Sequence, residues 1–135
     1  MKFPARWHTW AAAYLVLQSL LVTAWWVLLA VSPSARDYFK PATAPDAMLF
    51  AFALPDAIFF IIAAWWSAWR LIREPHRAML PLALHVGGAI YAWLYCLLLW
   101  MLSGAGLAGA VCMLFCAILP SLFLWKLCQA DGIEP

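Results

Sequence analysis

Charged residues are scarce in this sequence. They make up 10% of its 135 residues, whereas hydrophobic residues make up 68%. Soluble domains are about one quarter charged and roughly half apolar, so the composition excludes an ordinary soluble domain. The net charge of +2 is also too small to indicate a nucleic-acid-binding protein, because such proteins carry a pronounced basic surface.

The sequence also lacks the motifs of common catalytic and cofactor-binding sites. It contains no glycine-rich phosphate loop, no nucleophile elbow and no H-E-x-x-H metal motif. Its four cysteines form no C-x-x-C pair, so a thiol–disulfide relay is not indicated and the cysteines are interpreted as small hydrophobic residues. We therefore predict a non-enzymatic protein with no catalytic residues, no metal and no cofactor.

Long apolar runs dominate what is present. A helix needs about 20 apolar residues to cross a bilayer, and four runs reach this length: Trp10–Val31, Ala47–Leu71, Ala78–Leu102 and Leu107–Cys128. The first run is longer than the roughly 7–15 residues of a signal-peptide core, so we expect it to be retained. The sequence predicts one all-α domain over residues 1–135, an integral membrane four-helix bundle.

The distribution of lysine and arginine predicts the orientation of this bundle. Six of the eight basic residues lie at the N-terminus, in the 70–77 connection and at Lys126, while Arg36 and Lys40 lie on the other side. Because basic residues are retained in the cytoplasm, both termini are expected there, in a bacterial inner (plasma) membrane.

The connections between the runs suggest how the helices are arranged. The segment Ser32–Asp46 contains three prolines and mixed charges, which favours an ordered cap or an irregular link over a further span. Asp46 is a suitable N-cap for the second helix. The short connection Ser103–Gly106 predicts that the third and fourth helices are antiparallel neighbours.

Two ionisable residues lie deep inside the apolar runs, Asp56 and His85. Charged groups at the bilayer centre cost about 2.5–3.5 kcal/mol or more and mark functional sites by default. At about 1.5 Å per residue, Asp56, His85 and Gln18 fall near one level of the membrane. This predicts a midplane polar site in which Asp56 hydrogen-bonds His85, with Gln18 and Tyr91 as orienting groups.

Pro55 allows two interpretations of Asp56. Inside a helix, proline cannot donate to the carbonyl four residues earlier, so a kink near the midplane would free the Ala51 carbonyl beside Asp56. Alternatively, Pro55 begins a shorter helix and Asp56 is a shallow carboxylate near the positive helix end, without functional meaning. The sequence alone leaves both open.

Two functions from different classes fit these features. The first is binding of a small amphiphile, lipid or proton-coupled solute at the polar site. The second is a structural or assembly subunit that packs against a partner membrane protein or a second copy through small residues spaced along the third helix, Gly88, Ala92 and Cys96. An intramembrane enzyme acting on a lipid would need a nucleophile or metal set that the sequence does not supply.

The segments PDAMLFAFALPD (45–56) and GGAIYAWLYC (87–96) carry one family resemblance. They resemble the multi-helix membrane segment that precedes an isoprenylcysteine-carboxyl-methyltransferase-like domain in some bacterial proteins. The resemblance covers about Trp25 to Pro120 and depends on the placement of Pro55, Asp56, Gly88, Tyr91, Tyr95 and Cys96. The methyl-transferring half has no counterpart here, so the resemblance implies an accessory or lipid-facing role and no catalytic residue.

Overall fold

The computed structural model describes residues 6–130, and Lys2, one of the basic residues used to predict the orientation, lies outside them. The chain forms the helices α1 (Arg6–Val31), α2 (Pro33–Phe39), α3 (Asp46–Arg73), α4 (Met79–Ser103) and α5 (Leu107–Ala130). All but α2 are long and apolar enough to cross a bilayer. The prediction of an all-α chain with four membrane-spanning helices is confirmed.

The helix α3 is continuous but irregular around Pro55. Its first part, Asp46–Phe50, is followed by a tight turn in which the Phe52 amide donates to the Leu49 carbonyl at 3.1 Å. The helix then continues through Ala53–Asp56 into a π-helical segment, Ala57–Ile62. Pro55 is therefore not the first helical residue, because the helical segment resumes at Ala53; both Pro55 and Asp56 lie in its first turn, and the depth of Asp56 stays a prediction.

The two ends of the bundle are packed differently. One end of the bundle contains the start of α1 and the end of α3. Small and branched residues form a core there, which includes Ala11, Leu15, Ala64, Ala68, Leu82 and Leu127. Further along the helices, a second core of Val22, Phe60, Ala89 and Ala117 closes the middle of the bundle. Beyond it, α1 and α3 carry larger side chains, among them Trp25, Trp26 and Phe52.

The helices α4 and α5 pack side by side along their length, as the short connection predicts. The turn between them uses two glycines with positive φ, Gly104 at 72° and Gly106 at 88°. The amide of Gly104 donates to the Trp100 carbonyl at 2.8 Å, which is the usual way in which glycine ends a helix. This turn makes the two helices antiparallel neighbours.

The segment between α1 and α3 is ordered and covers one end of the bundle. Ser32 caps α2, with its hydroxyl accepting from the Ala35 amide. Arg36 donates to the Leu29 carbonyl at 2.8 Å, and its Nε lies 2.8 Å from Asp46 Oδ2. Asp46 is thus not the predicted N-cap, since that position is taken by Pro45; instead its carboxylate binds Arg36.

Helices α3 and α4 make a close contact at Gly88. A Cβ atom added to Gly88 would lie 2.5 Å from Cβ and 2.6 Å from Cγ of Phe59, whereas one added to Gly87 would have no heavy atom within 4 Å. Small residues allow helix backbones to approach closely in membranes. Gly88 is therefore required where α4 passes the side chain of Phe59.

We expect Gly88→Ala to destabilise the bundle by about 1–3 kcal/mol, because the added methyl group overpacks this contact. Gly87→Ala is the matched control and should leave stability unchanged or raise it by up to about 1 kcal/mol, since alanine favours the helix. Thermal unfolding of both variants in the same detergent measures the difference. Equal stability of the two variants would contradict the assignment of Gly88 to this contact.

Candidate functional site

A cavity of about 740 Å³ lies between the long helices, in the half of the bundle that the α2 segment covers. Small-molecule sites typically measure about 300–1,000 Å³ and have apolar walls with a few polar groups. The lining here follows that pattern, since most of it is aliphatic or aromatic. Six of the predicted site and packing residues line it: Gln18, Asp56, Tyr91, Gly88, Ala92 and Cys96.

Asp56 lies on the cavity wall, ten residues after the first residue of α3. At about 1.5 Å per residue this is about 15 Å along the helix. Its Oδ2 accepts a hydrogen bond of 3.1 Å from the indole Nε1 of Trp26 on α1. The carboxylate therefore connects α3 to α1 and still presents acceptor positions to the cavity.

The prediction that Asp56 hydrogen-bonds His85 is wrong, because each of these side chains hydrogen-bonds a different partner. His85 Nδ1 donates to the carbonyl oxygen of Phe59 at 2.8 Å, and the ring packs edge-on against Phe60, with centroids 5.6 Å apart. His85 is completely buried and does not line the cavity. His85 therefore connects α4 to α3 at Phe59, about one helical turn beyond Asp56, and does not bind the Asp56 carboxylate.

The π-helical segment explains why the Phe59 carbonyl is available. In a regular α-helix this oxygen would accept from the amide of Ala63, but that amide donates to Ile58 instead. A carbonyl that loses its helical partner inside a membrane needs another donor. His85 supplies it, and π-helical turns of this kind are frequent at functional sites.

Gln18 lies on the cavity wall and is 4% exposed. Neither its amide nitrogen nor its amide oxygen has a hydrogen-bond partner among the residues that the structure describes. Leaving a buried polar group unpaired costs about 1–3 kcal/mol. The Gln18 amide is therefore a donor and an acceptor left without a partner beside the cavity.

Tyr91 lines the cavity but is 65% exposed. Other lining side chains on α1 and α5 also reach the outer surface of the bundle; Leu17 is 56%, Leu21 62% and Phe115 61% exposed. Where α1 and α5 meet, the Tyr14 hydroxyl donates to the Phe115 carbonyl at 3.2 Å. The cavity thus communicates with the surface that faces the surrounding lipid.

The packing residues predicted on α4 take different positions. Gly88 contacts Phe59 inside the chain, and Ala92 and Cys96 line the cavity. Cys96, Cys112 and Cys116 all border the cavity as free thiols. No group of three or more metal-binding side chains occurs within residues 6–130.

Sequence reasoning missed Trp26 as the partner of Asp56. Tryptophans near helix ends usually lie at the membrane surface in an aromatic belt, yet Trp25 and Trp26 both line the cavity. The sequence contained a signal for this pair, because a tryptophan N–H buried in an apolar medium requires a hydrogen-bond acceptor. Trp65 and Trp69 do face outward, being 47% and 52% exposed.

No family model, no curated protein and no solved structure matches this chain.

We expect His85→Leu to lower the free energy of unfolding by about 1–3 kcal/mol, because the Phe59 carbonyl would lose its donor in an apolar surrounding. His85→Asn is the matched variant, since its side-chain amide can place an N–H near the position of Nδ1 and should restore much of the loss. Thermal unfolding in detergent distinguishes them. An equal loss in both variants would show that the hydrogen bond to Phe59 is unimportant.

Proposed function

We propose that this integral membrane protein binds a small amphiphile or lipid in the cavity between its helices. The observation that carries the proposal is a mostly apolar wall with few polar groups, among them the Asp56 carboxylate and the unpartnered Gln18 amide. An amphiphile has the matching composition, since its polar part can hydrogen-bond these groups while its apolar part fills the remaining volume.

The surface exposure of part of the lining supports a supply of ligand from the bilayer. Molecules dissolved in the membrane can reach the cavity beside Leu17 and Phe115, which are exposed and line it. In this proposal Asp56 is the acceptor or proton carrier, Gln18 orients the polar part of the ligand, and Tyr91 lies at the opening. His85 holds α4 against α3 and does not touch the ligand.

The alternative role as a structural or assembly subunit has less support. It depended on a small-residue face of α4 that would contact a partner membrane protein or a second copy. Gly88 already contacts Phe59 within the chain, and Ala92 and Cys96 face the cavity. These three residues therefore give no reason to expect a partner at that face, and we propose no enzymatic activity.

Photo-cross-linking tests the binding proposal. We expect a neutral fatty alcohol that carries a diazirine to label cavity-lining residues when the protein is illuminated in nanodiscs and its peptides are mapped by mass spectrometry. Ala92→Phe places a ring in the cavity and should reduce this labelling by about tenfold, a difference of about 1.4 kcal/mol.

Ala83→Phe is the control on the same helix, because Ala83 is exposed and does not line the cavity. It should leave the labelling of the cavity unchanged. Labelling confined to outward-facing residues, or insensitive to Ala92→Phe, would refute an amphiphile site in the cavity.

We propose further that the protein lies in a bacterial inner membrane and that both of its termini are in the cytoplasm. The support is the count of six basic residues on one side against Arg36 and Lys40 on the other. Both residues of the smaller group also bind Asp46, at 2.8 Å and 3.4 Å respectively.

Single cysteines introduced into a variant without the four native ones test this orientation. In intact bacterial cells, a membrane-impermeant maleimide should label Ser34→Cys, in α2, and not His76→Cys, in the 74–78 connection. Both should react after the cells are lysed. The opposite labelling pattern would reverse the orientation.

A further inference from the structure

The charge of the cavity wall restricts the kind of amphiphile that it can hold. Among the lining residues are one carboxylate, Asp56, and one amine, Lys40. Lys40 Nζ lies 3.4 Å from Asp37 Oδ1 and 3.4 Å from Asp46 Oδ1, and it donates to the Ala44 carbonyl at 2.8 Å. Its positive charge is thus balanced within the segment that covers the cavity.

Asp56 has no such partner. None of the ion pairs formed within residues 6–130 includes it, and its hydrogen bond comes from the neutral indole of Trp26. A carboxylate removed from water is costly unless a positive charge or further hydrogen bonds compensate it. A cation in the cavity would provide that compensation, whereas an anion would be repelled.

Aromatic rings flank the carboxylate along α3. Phe52 precedes Asp56 by four residues and Phe59 follows it by three, so the three side chains share one helix face, and all of them line the cavity. Tyr95 of α4 packs against Phe52, with ring centroids 4.6 Å apart. Aromatic rings on a cavity wall can contact a cation through their π faces as well as by apolar contact.

From this geometry we propose that the ligand is a lipophilic organic cation, a bulky apolar molecule with an ammonium or phosphonium centre placed against Asp56. The inference rests on the proposed binding of an amphiphile in the same cavity and specifies its charge. The carboxylate attracts the cationic centre, and the rings of Phe52, Phe59 and Tyr95 surround its substituents.

Two ions of nearly equal size and opposite charge test this inference. Tetraphenylphosphonium and tetraphenylborate are each added in increasing amounts as competitors of the neutral diazirine alcohol. The concentration of each ion in the bilayer is determined on empty nanodiscs, and the two ions are compared on that scale. We expect the phosphonium ion to suppress labelling of the cavity at a concentration about tenfold lower than the borate ion requires.

Asp56→Asn keeps the shape of the side chain and removes its charge. We expect the preference for the phosphonium ion over the borate ion to be lost in this variant, with competition by each ion measured relative to the variant's own labelling by the neutral probe. Glu74→Gln is the control, because Glu74 lies in the 74–78 connection, pairs with Arg70 and Arg77 and does not line the cavity, and this variant should retain the preference.

The outcomes separate this inference from the function on which it rests. If the neutral probe labels the cavity but the two ions compete equally, or if Asp56→Asn keeps the preference, the ligand is not a cation and amphiphile binding stands. If the neutral probe does not label the cavity in the unaltered protein, amphiphile binding itself is refuted.

Discussion

The contact between α3 and α4 at Phe59 is the interaction on which the arrangement of the bundle depends. Gly88 allows α4 to approach the Phe59 side chain, and His85 donates to the Phe59 carbonyl at 2.8 Å. In the absence of water, a backbone carbonyl that has left the regular helix pattern must find a donor in the protein. The two contacts together fix the rotation of α3, so that Phe52, Asp56 and Phe59 face the cavity.

The uneven distribution of side-chain size explains where that cavity forms. Alanines on α1 and α3, such as Ala11, Ala64 and Ala68, let the helices pack closely at one end of the bundle. Toward the other end, Trp25, Trp26, Phe52 and Phe59 of the same helices line the cavity. The cavity therefore lies among the larger side chains, and the segment containing α2 covers it.

The covering segment is held by ion pairs and not by apolar packing alone. Arg36 connects the end of α1 to the start of α3 by donating to the Leu29 carbonyl and pairing with Asp46. Lys40 adds a second contact to Asp46. Because the carbonyls at the end of a helix lack helical partners, Arg36 both satisfies them and fixes the position of α2 over the cavity.

By itself the sequence determined the number and approximate bounds of the membrane-spanning helices, since an apolar run of sufficient length has few alternatives to crossing a bilayer. It also identified Asp56 and Gln18 as residues of interest, because polar side chains are rare at that depth. The tertiary structure decided which groups meet. Equal depth does not fix the rotation of a helix about its axis, so Asp56 pairs with Trp26 and His85 with the Phe59 carbonyl, and the cavity depends on packing between helices that are distant in the sequence.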